Sequence, residues 1–391
     1  MTSTVTLLLA FAAVAAYVVL AAFLRHRNER KLLANFARYF DDPYSMDHKT
    51  AYQILQTTVL LDFPFMFNFS VAWAVVRSYG VPAASEVVAK TKRLVSVKTT
   101  GKRYEDSAII MQGWLRHGID SDHGLRTLAK VNWMHARYGD AIKNSELLHF
   151  LAIWLIEVNR WIDTHEWRRL LYLEKVALFI YLREIGSRMG IHEIPQTYEE
   201  LCRWLDEYEM KRMSYASSNE ELWKYFVELL TRSIPTVLKP YVEDMLEACV
   251  TPVARPALGI KETPSWAIEL LTRGFAARGF LVRHFFLPRA RPEPSITHLA
   301  NGRIQRTRWD IEPWYVRETS LSKLQKAFGN PWPTPGPEYR PEGYLPEELG
   351  PKEWEKVSSQ QVLDAAERLR EYAEKGGAQG MGCPFAFARD T

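Results

Sequence analysis

The sequence predicts an all-α protein, with one N-terminal transmembrane helix followed by a helical body of about 360 residues. Three observations predict it. Val5 to Leu24 (VTLLLAFAAVAAYVVLAAFL) carries no charge, apolar residues then recur at helical spacing almost continuously to about residue 280, and β-branched alternation is nowhere sustained.

The apolar run comes first. At 1.5 Å per residue it reaches roughly 30 Å, the thickness of a hydrocarbon core. A secretory signal would put basic residues before a shorter run and a small-residue cleavage site after it. Here Arg25, Arg27, Arg30 and Lys31 all follow the run. Retention as a single-pass anchor is therefore expected, and the positive flank directs the body to the cytosolic side. Cys202, Cys249 and Cys383 are few, odd in number and widely spaced. They give no disulfide framework and fit a reducing compartment. One sequon, Asn68-Phe69-Ser70, lies among apolar residues and carries little weight.

Composition excludes one class and favours another. A net charge of +4 with no basic motif argues against nucleic acid as a partner. Eighteen Phe, eighteen Tyr and thirteen Trp suit a protein that meets membrane lipid or encloses an apolar ligand.

Along the body, helices are expected over Arg103 to Arg116, Leu125 to Tyr138, Ser145 to Trp161, Glu166 to Arg188, Tyr198 to Met213 and Pro240 to Ala248, with breakers at Gly118, Gly139, Gly190 and Pro195. Leu147 to Val158 is apolar on nearly every face and too short to span a bilayer, so it belongs in the middle of the bundle. Leu60 to Val76 is similar, but Asp62 and Pro64 interrupt it. A buried or partly lipid-embedded helix is expected there rather than a second crossing.

From Arg273 to Arg308 eight arginines interleave with Phe275, Phe280, Phe285, Phe286 and Trp309. A membrane surface and a solvated basic face over an apolar core both fit. A Pro-rich linker (NPWPTPGPEYRPEGYLP) leads to a last helix opened by Ser358 or Ser359 and running to about Glu374, and the tail beyond Gly376 is expected to be loosely held. The expected units are an anchor with its basic flank over 1–31, a helical catalytic domain over 32–330, and linker, helix and tail over 331–391, without internal repeats.

No phosphate loop, dinucleotide fingerprint, nucleophile elbow or His-Glu-x-x-His occurs. Histidine on helices remains, open to three readings: haem ligand, di-iron ligand or satisfied core residue. Di-iron demands two Glu-x-x-His pairs, and only Glu146-Leu147-Leu148-His149 is present. Cys383, in GMGCPFAF, lacks the surroundings of a P450-like thiolate loop.

The segment TGKRYEDSAIIMQGWLRHGIDSDHGLRTLAKVNWMHARYGDAIKNSELLHFL, Thr100 to Leu151, carries Arg103 with Ser107 four residues on. About thirty residues later a helix follows with Arg126, His135 and then Tyr138. This pattern resembles the catalytic domain of the MpaB and rubber oxygenase family. The run YLREIGSRMGIHEIPQTYEELCRWLDEYE, Tyr181 to Glu209, is similar to its fungal, endoplasmic-reticulum-bound branch. The resemblance implies a b-type haem in a globin-like multi-helix bundle, with His135 as proximal iron ligand. Leu128 and Val131 share its helical face, which is apolar. It further implies that Arg103, Asp106 and Ser107 form the distal, catalytic group. Rubber-cleaving members carry Lys and Thr where Asp106 and Ser107 stand, so a contact from Asp106 to the Arg103 guanidinium is the alternative role for that acid. Arg126 and Tyr138 would meet haem propionates or substrate. Glu184, Arg188, Glu199 and Tyr208 read as a structural ion-pair and capping network, and His117, His123, His165 and His192 as surface residues.

The function so implied is oxidative C=C cleavage, with O₂, of a prenyl or farnesyl side chain in meroterpenoid secondary metabolism at the endoplasmic reticulum membrane. A non-enzymatic, membrane-tethered lipid- or partner-binding module and a non-haem iron oxygenase using His149 are the alternatives. Homo-oligomerisation is left open.

Overall fold

A computed structural model describes residues 2–377; Cys383 and the rest of the tail lie outside the described residues. Fifteen α-helices follow one another there. They are α1 (Thr2–Leu24), α2 (Arg27–Asn35), α3 (His48–Thr57), α4 (Pro64–Ser78), α5 (Pro82–Lys90), α6 (Val97–His117), α7 (Asp122–Ala136) and α8 (Asn144–His165). The rest are α9 (Tyr172–Arg188), α10 (Tyr198–Arg212), α11 (Ser217–Thr231), α12 (Lys239–Cys249), α13 (Ser265–Phe285), α14 (Ser320–Ala327) and α15 (Ser359–Glu374). The chain is thus mostly helical, as expected.

One exception is a short antiparallel hairpin, β1 (Ile296–His298) with β2 (Ile304–Arg306), in which Ile296 faces Arg306 and His298 faces Ile304. Strands of three residues are too short to display an alternating pattern, and their pairing is completed by bridges to Tyr344 and Val316 that no local window contains.

Among the described helices one path, Thr4–Asn35, is long and apolar enough to cross a membrane, and its apolar window is almost wholly exposed. The body packs around α8. Leu151, Ala152, Ile153, Leu155 and Val158 on that helix are all buried, with α4, α9 and α10 against it. The α3–α4 stretch does not run on as one straight helix. A π-turn at Thr58–Asp62 and Pro64 bend the path by 103°, and α4 buries Met66, Phe67, Val71 and Ala74 in the core. Ser70 of the sequon is fully buried there.

Two buried charge networks fix how these helices meet. At the base of α1, Asp62 accepts from Arg168 (2.8 Å) and from Asn28 (3.1 Å), while Arg168 also donates to Glu174 at 2.7 Å. Arg25 lies 4.0 Å over the Trp167 ring beside them. On the far side of α8, Arg77 donates to Glu157 (2.7 Å) and to both oxygens of Glu209 (2.8 and 2.6 Å). Glu166 to Leu171, expected as helix, is instead the extended entry to α9 that carries Trp167 and Arg168 into the first network.

Arg168→Met is expected to leave Asp62 and Glu174 buried without their cation and to lower stability by about 3–5 kcal/mol. Denaturation in detergent measures it; a change under ~1 kcal/mol would show that the network does not hold the anchor to the body.

Candidate functional site

Helices α6 and α7 pack against each other across a tight corner. Gly118 takes φ +85°, and Ser121 caps α7 by accepting from the Gly124 amide. A Cβ on Gly124 would stand 2.1 Å from the Gly118 carbonyl oxygen, so only glycine lets the two segments approach this closely. Tyr181 closes the corner, donating to Trp114 O (2.6 Å) and accepting from the Ile119 amide (2.9 Å).

His135 occupies the last turn of α7, on the face of buried Leu128 and Val131. Burial, and then the positive charge of Arg103, hold its imidazole down at about 4. The ring is therefore neutral at physiological pH, and among the described residues neither nitrogen has a hydrogen-bond partner. Though half-buried by solvent exposure, it sits in a low-polarity setting against the α6 face.

Opposite it on α6, Arg103 donates to Ser107 Oγ at 2.6 Å, and Ser107 Oγ donates back to Arg103 O at 2.8 Å. The hydroxyl thus locks the guanidinium by a contact one turn away. Next to this pair the hydroxyls of Tyr79, at the end of α4, and Tyr104 lie 2.5 Å apart. Burial pushes the Tyr79 phenol up to about 12 and raises that of Tyr104 further, with Arg103 opposing both. Arg103, Ser107, His135, Tyr79 and Tyr104 thus form one electrostatic unit from three helices. The tyrosine pair was not singled out in the sequence; Tyr104 adjoins Arg103, but nothing local marks Tyr79.

Asp106 belongs elsewhere. Its carboxylate accepts from Lys102 Nζ (2.7 Å), Tyr315 OH (2.9 Å) and the Gly350 amide (3.1 Å), and it makes no contact with the Arg103 guanidinium. Helix geometry explains this, because at 100° per residue Asp106 and Lys102 lie together on a flank turned away from Arg103 and Ser107. Arg126 precedes His135 by nine residues, two and a half turns, which puts it on the opposite face of α7. There it pairs with Asp122 at 3.1 Å and with Glu347. Tyr138 follows the helix end and packs edge-on to Trp354 at 6.1 Å. All three residues grip the segment before α15.

The other histidines separate clearly. His149 contacts Glu209 at 3.1 Å, and both Glu209 oxygens already bind Arg77. Glu146 caps its own helix through the Lys143 amide. Among the described residues no group of three His, Cys, Asp or Glu is arranged to hold a metal ion, so the His149 alternative lacks a ligand set. His123, expected at the surface, is buried under Tyr344, whose hydroxyl is 3.1 Å from Nε2. Arg188 and Glu184 form the expected ion pair at 2.8 Å, extended to Asp120.

Two surface clefts, about 280 and 520 Å³, are lined by residues around Arg183 and around Trp223 respectively, and neither includes His135 or Arg103.

Residues 57–281 match the family described as "ER-bound oxygenase mpaB/B'/Rubber oxygenase, catalytic domain". The chain belongs to this oxygenase family. The ER-bound oxygenase mpaB' of Penicillium brevicompactum is 27% identical over 385 residues, covering 90% of each chain. The ER-bound oxygenase mpaB of Penicillium roqueforti is 30% identical over 242 residues, 58% of this chain and 80% of that relative. The ER-bound oxygenase mpaB of Penicillium brevicompactum is 26% identical over 346 residues. As a member of the MpaB and rubber oxygenase family the chain is an oxidoreductase, and the matched span contains all five residues of the unit around Arg103.

Buried neutral histidines also set an acid limit on the fold. His117 is held at about 4 and His123 at about 3, chiefly by burial, against an ordinary 6.5. As pH falls through 6.5 the unfolded chain binds these protons first, so their stabilisation is complete above that pH and is lost progressively toward 4. The denaturation midpoint is expected to fall between pH 7 and 4.5, and to fall less in His123→Phe. Equal pH slopes for the two proteins would refute this.

Proposed function

We propose that this oxygenase is haem-dependent: His135 would hold the iron, and Arg103 and Ser107 would act as the catalytic pair. The observation that carries the reading is a half-buried, neutral imidazole with no hydrogen-bond partner among the described residues, close to a positioned arginine. A ligand nitrogen must be unprotonated and unclaimed, and His135 meets both conditions. A b-type haem in a globin-like helical setting would supply the O₂ chemistry; the chain supplies binding, orientation and a dry enclosure.

Within this reading Arg103 offers a fixed positive charge to whatever negative charge develops on oxygen. Ser107 keeps that charge from swinging away. The paired phenols of Tyr79 and Tyr104 stay protonated; one proton bridges the pair and the other can donate beside it. Asp106, Arg126 and Tyr138 act on α6 and α7 from behind, through the C-terminal segment, rather than on propionates or substrate.

The substrate class we infer is an apolar alkene, a prenyl or farnesyl chain of a secondary metabolite, cleaved oxidatively at C=C. The relatives are named ER-bound oxygenases, and α1 provides a candidate span. A single-pass anchor with the body on the cytosolic side would place the site where membrane-dissolved substrate is available.

Protein purified in detergent is expected to show a Soret band that is lost or displaced in His135→Ala. Arg103→Ala is expected to keep the band and lose roughly 10²-fold in turnover. Absence of the band in protein supplied with haem, or an unaltered band in His135→Ala, would refute the proposal.

A further inference from the structure

Helix α13 leaves large apolar side chains in solvent beside the anchor. Tyr17 of α1 donates to Phe285 O at 3.0 Å, and Arg25 donates to Phe286 O at 3.4 Å, so the end of α13 is tied to the final turns of the transmembrane helix. Trp266, Leu270, Leu281 and Phe285 on α13 are all exposed. A soluble protein rarely leaves such a run uncovered.

The same surface continues beyond α13. Tyr241 meets Trp266 with ring centroids 6.1 Å apart, and just before it Val237 is 75% exposed. Ser233 donates to Pro331 O at 2.8 Å, which brings the end of the α14 segment alongside. On that segment Leu321, Leu324 and Phe328 form one stripe at i, i+3 and i+7, with Phe328 82% exposed and Trp332 following.

The arginine-rich composition read from the sequence resolves into three uses, one of them surface pairs of Arg273 with Glu269 and of Arg289 and Arg308 with Glu293. Arg278 pairs with Glu166, Arg303 with Glu348 and Arg306 with Glu105, all internal clamps. Arg283 and Arg291 are exposed and have no acidic partner among the described residues.

We propose that α13, the turn at Val237 and α14 form a second membrane contact, an interfacial seat lying in the bilayer that α1 crosses. The occupant is lipid because the surface is continuous with a membrane-spanning helix, and a bilayer must surround that helix where α13 joins it. Exposed Trp and Tyr at the rim and unpaired arginines match what sits at headgroup depth, where aromatic rings straddle the boundary and guanidinium groups meet phosphate. The seat, together with the bonds from Tyr17 and Arg25 to the end of α13, fixes the tilt of the body on the membrane.

The test uses the full chain reconstituted in vesicles of phosphatidylcholine and phosphatidylserine with a photoactivated apolar probe, read by peptide mass spectrometry. Peptides carrying Val237 to Tyr241, Trp266 to Phe285 and Leu321 to Trp332 are expected to be labelled several-fold above the peptide carrying Met210, which is exposed on a polar helix. The double variant L324E and F328E is expected to lose labelling over α14 while α1 remains labelled. Labelling confined to α1, or shielding of these peptides in a cross-linked pair of copies, would overturn the proposal. Neither outcome depends on the cofactor, so the seat and the haem reading stand or fall separately.

Discussion

Two adjacent carboxylates on α6 govern how the molecule is assembled. Glu105 and Asp106 are buried almost without exposure, and a buried charge without partners costs several kcal/mol. Every partner but Lys102 comes from some two hundred residues downstream. Glu105 accepts from the amides of Asp310 (3.1 Å), Ile311 (2.5 Å) and Glu312 (2.9 Å) and pairs with Arg306. Asp106 takes Tyr315 and the Gly350 amide. The stretch matching the family ends at residue 281, so the helix that carries Arg103 and Ser107 is completed only by chain outside that stretch.

This divides α6 into two working faces. Successive residues turn by 100°, so Arg103, Ser107 and Tyr104 span one side, while Lys102, Glu105 and Asp106 span the other. Helix α7 is divided in the same way, with His135 toward α6 and Arg126 and buried Lys130 toward the C-terminal segment, where Lys130 donates to Ser358 Oγ at 2.7 Å. Burial lowers the Lys130 amine to about 8. The C-terminal segment therefore clamps both helices from behind with charge-assisted bonds and leaves the face between them to Arg103, Ser107 and His135.

What was legible in the sequence follows from the range of the interactions concerned. The apolar helix α1, α8 and the breakers at Gly118, Gly139 and Gly190 are written in local hydropathy and backbone freedom, and all three glycines adopt positive φ. Arg103 with Ser107 is an i, i+4 relation and was equally visible. Tyr79 was not, because it reaches Tyr104 only through the packing of α4 against the core. Nor could spacing reveal that Asp106 prefers Lys102 and Tyr315 to Arg103, since one of those partners lies 209 residues away. Arg126 stands on the face of α7 opposite His135, because proximity in sequence says nothing about which face of a helix two residues share. The β1–β2 hairpin and the apolar stripe of α14 sit in a Pro- and Arg-rich region whose composition masks three-residue strands and an eight-residue helix.

The membrane side and the site are mechanically one piece. Phe275 on α13 meets Phe69 at 5.3 Å, Phe69 meets Trp73 at 5.9 Å, Trp73 meets Phe226 at 5.9 Å, and Phe226 meets Tyr104 at 5.4 Å. Each such pair adds about 0.5–1.5 kcal/mol to ordinary burial. No link in this series can shift by much without unpacking the next, because close-packed aromatic rings have few alternative arrangements. The series ends on the residue beside Arg103. Were α13 seated on a bilayer as proposed, this series would fix the height of Arg103 and His135 above it, and an apolar substrate leaving the membrane would meet a site held at a constant distance from that surface.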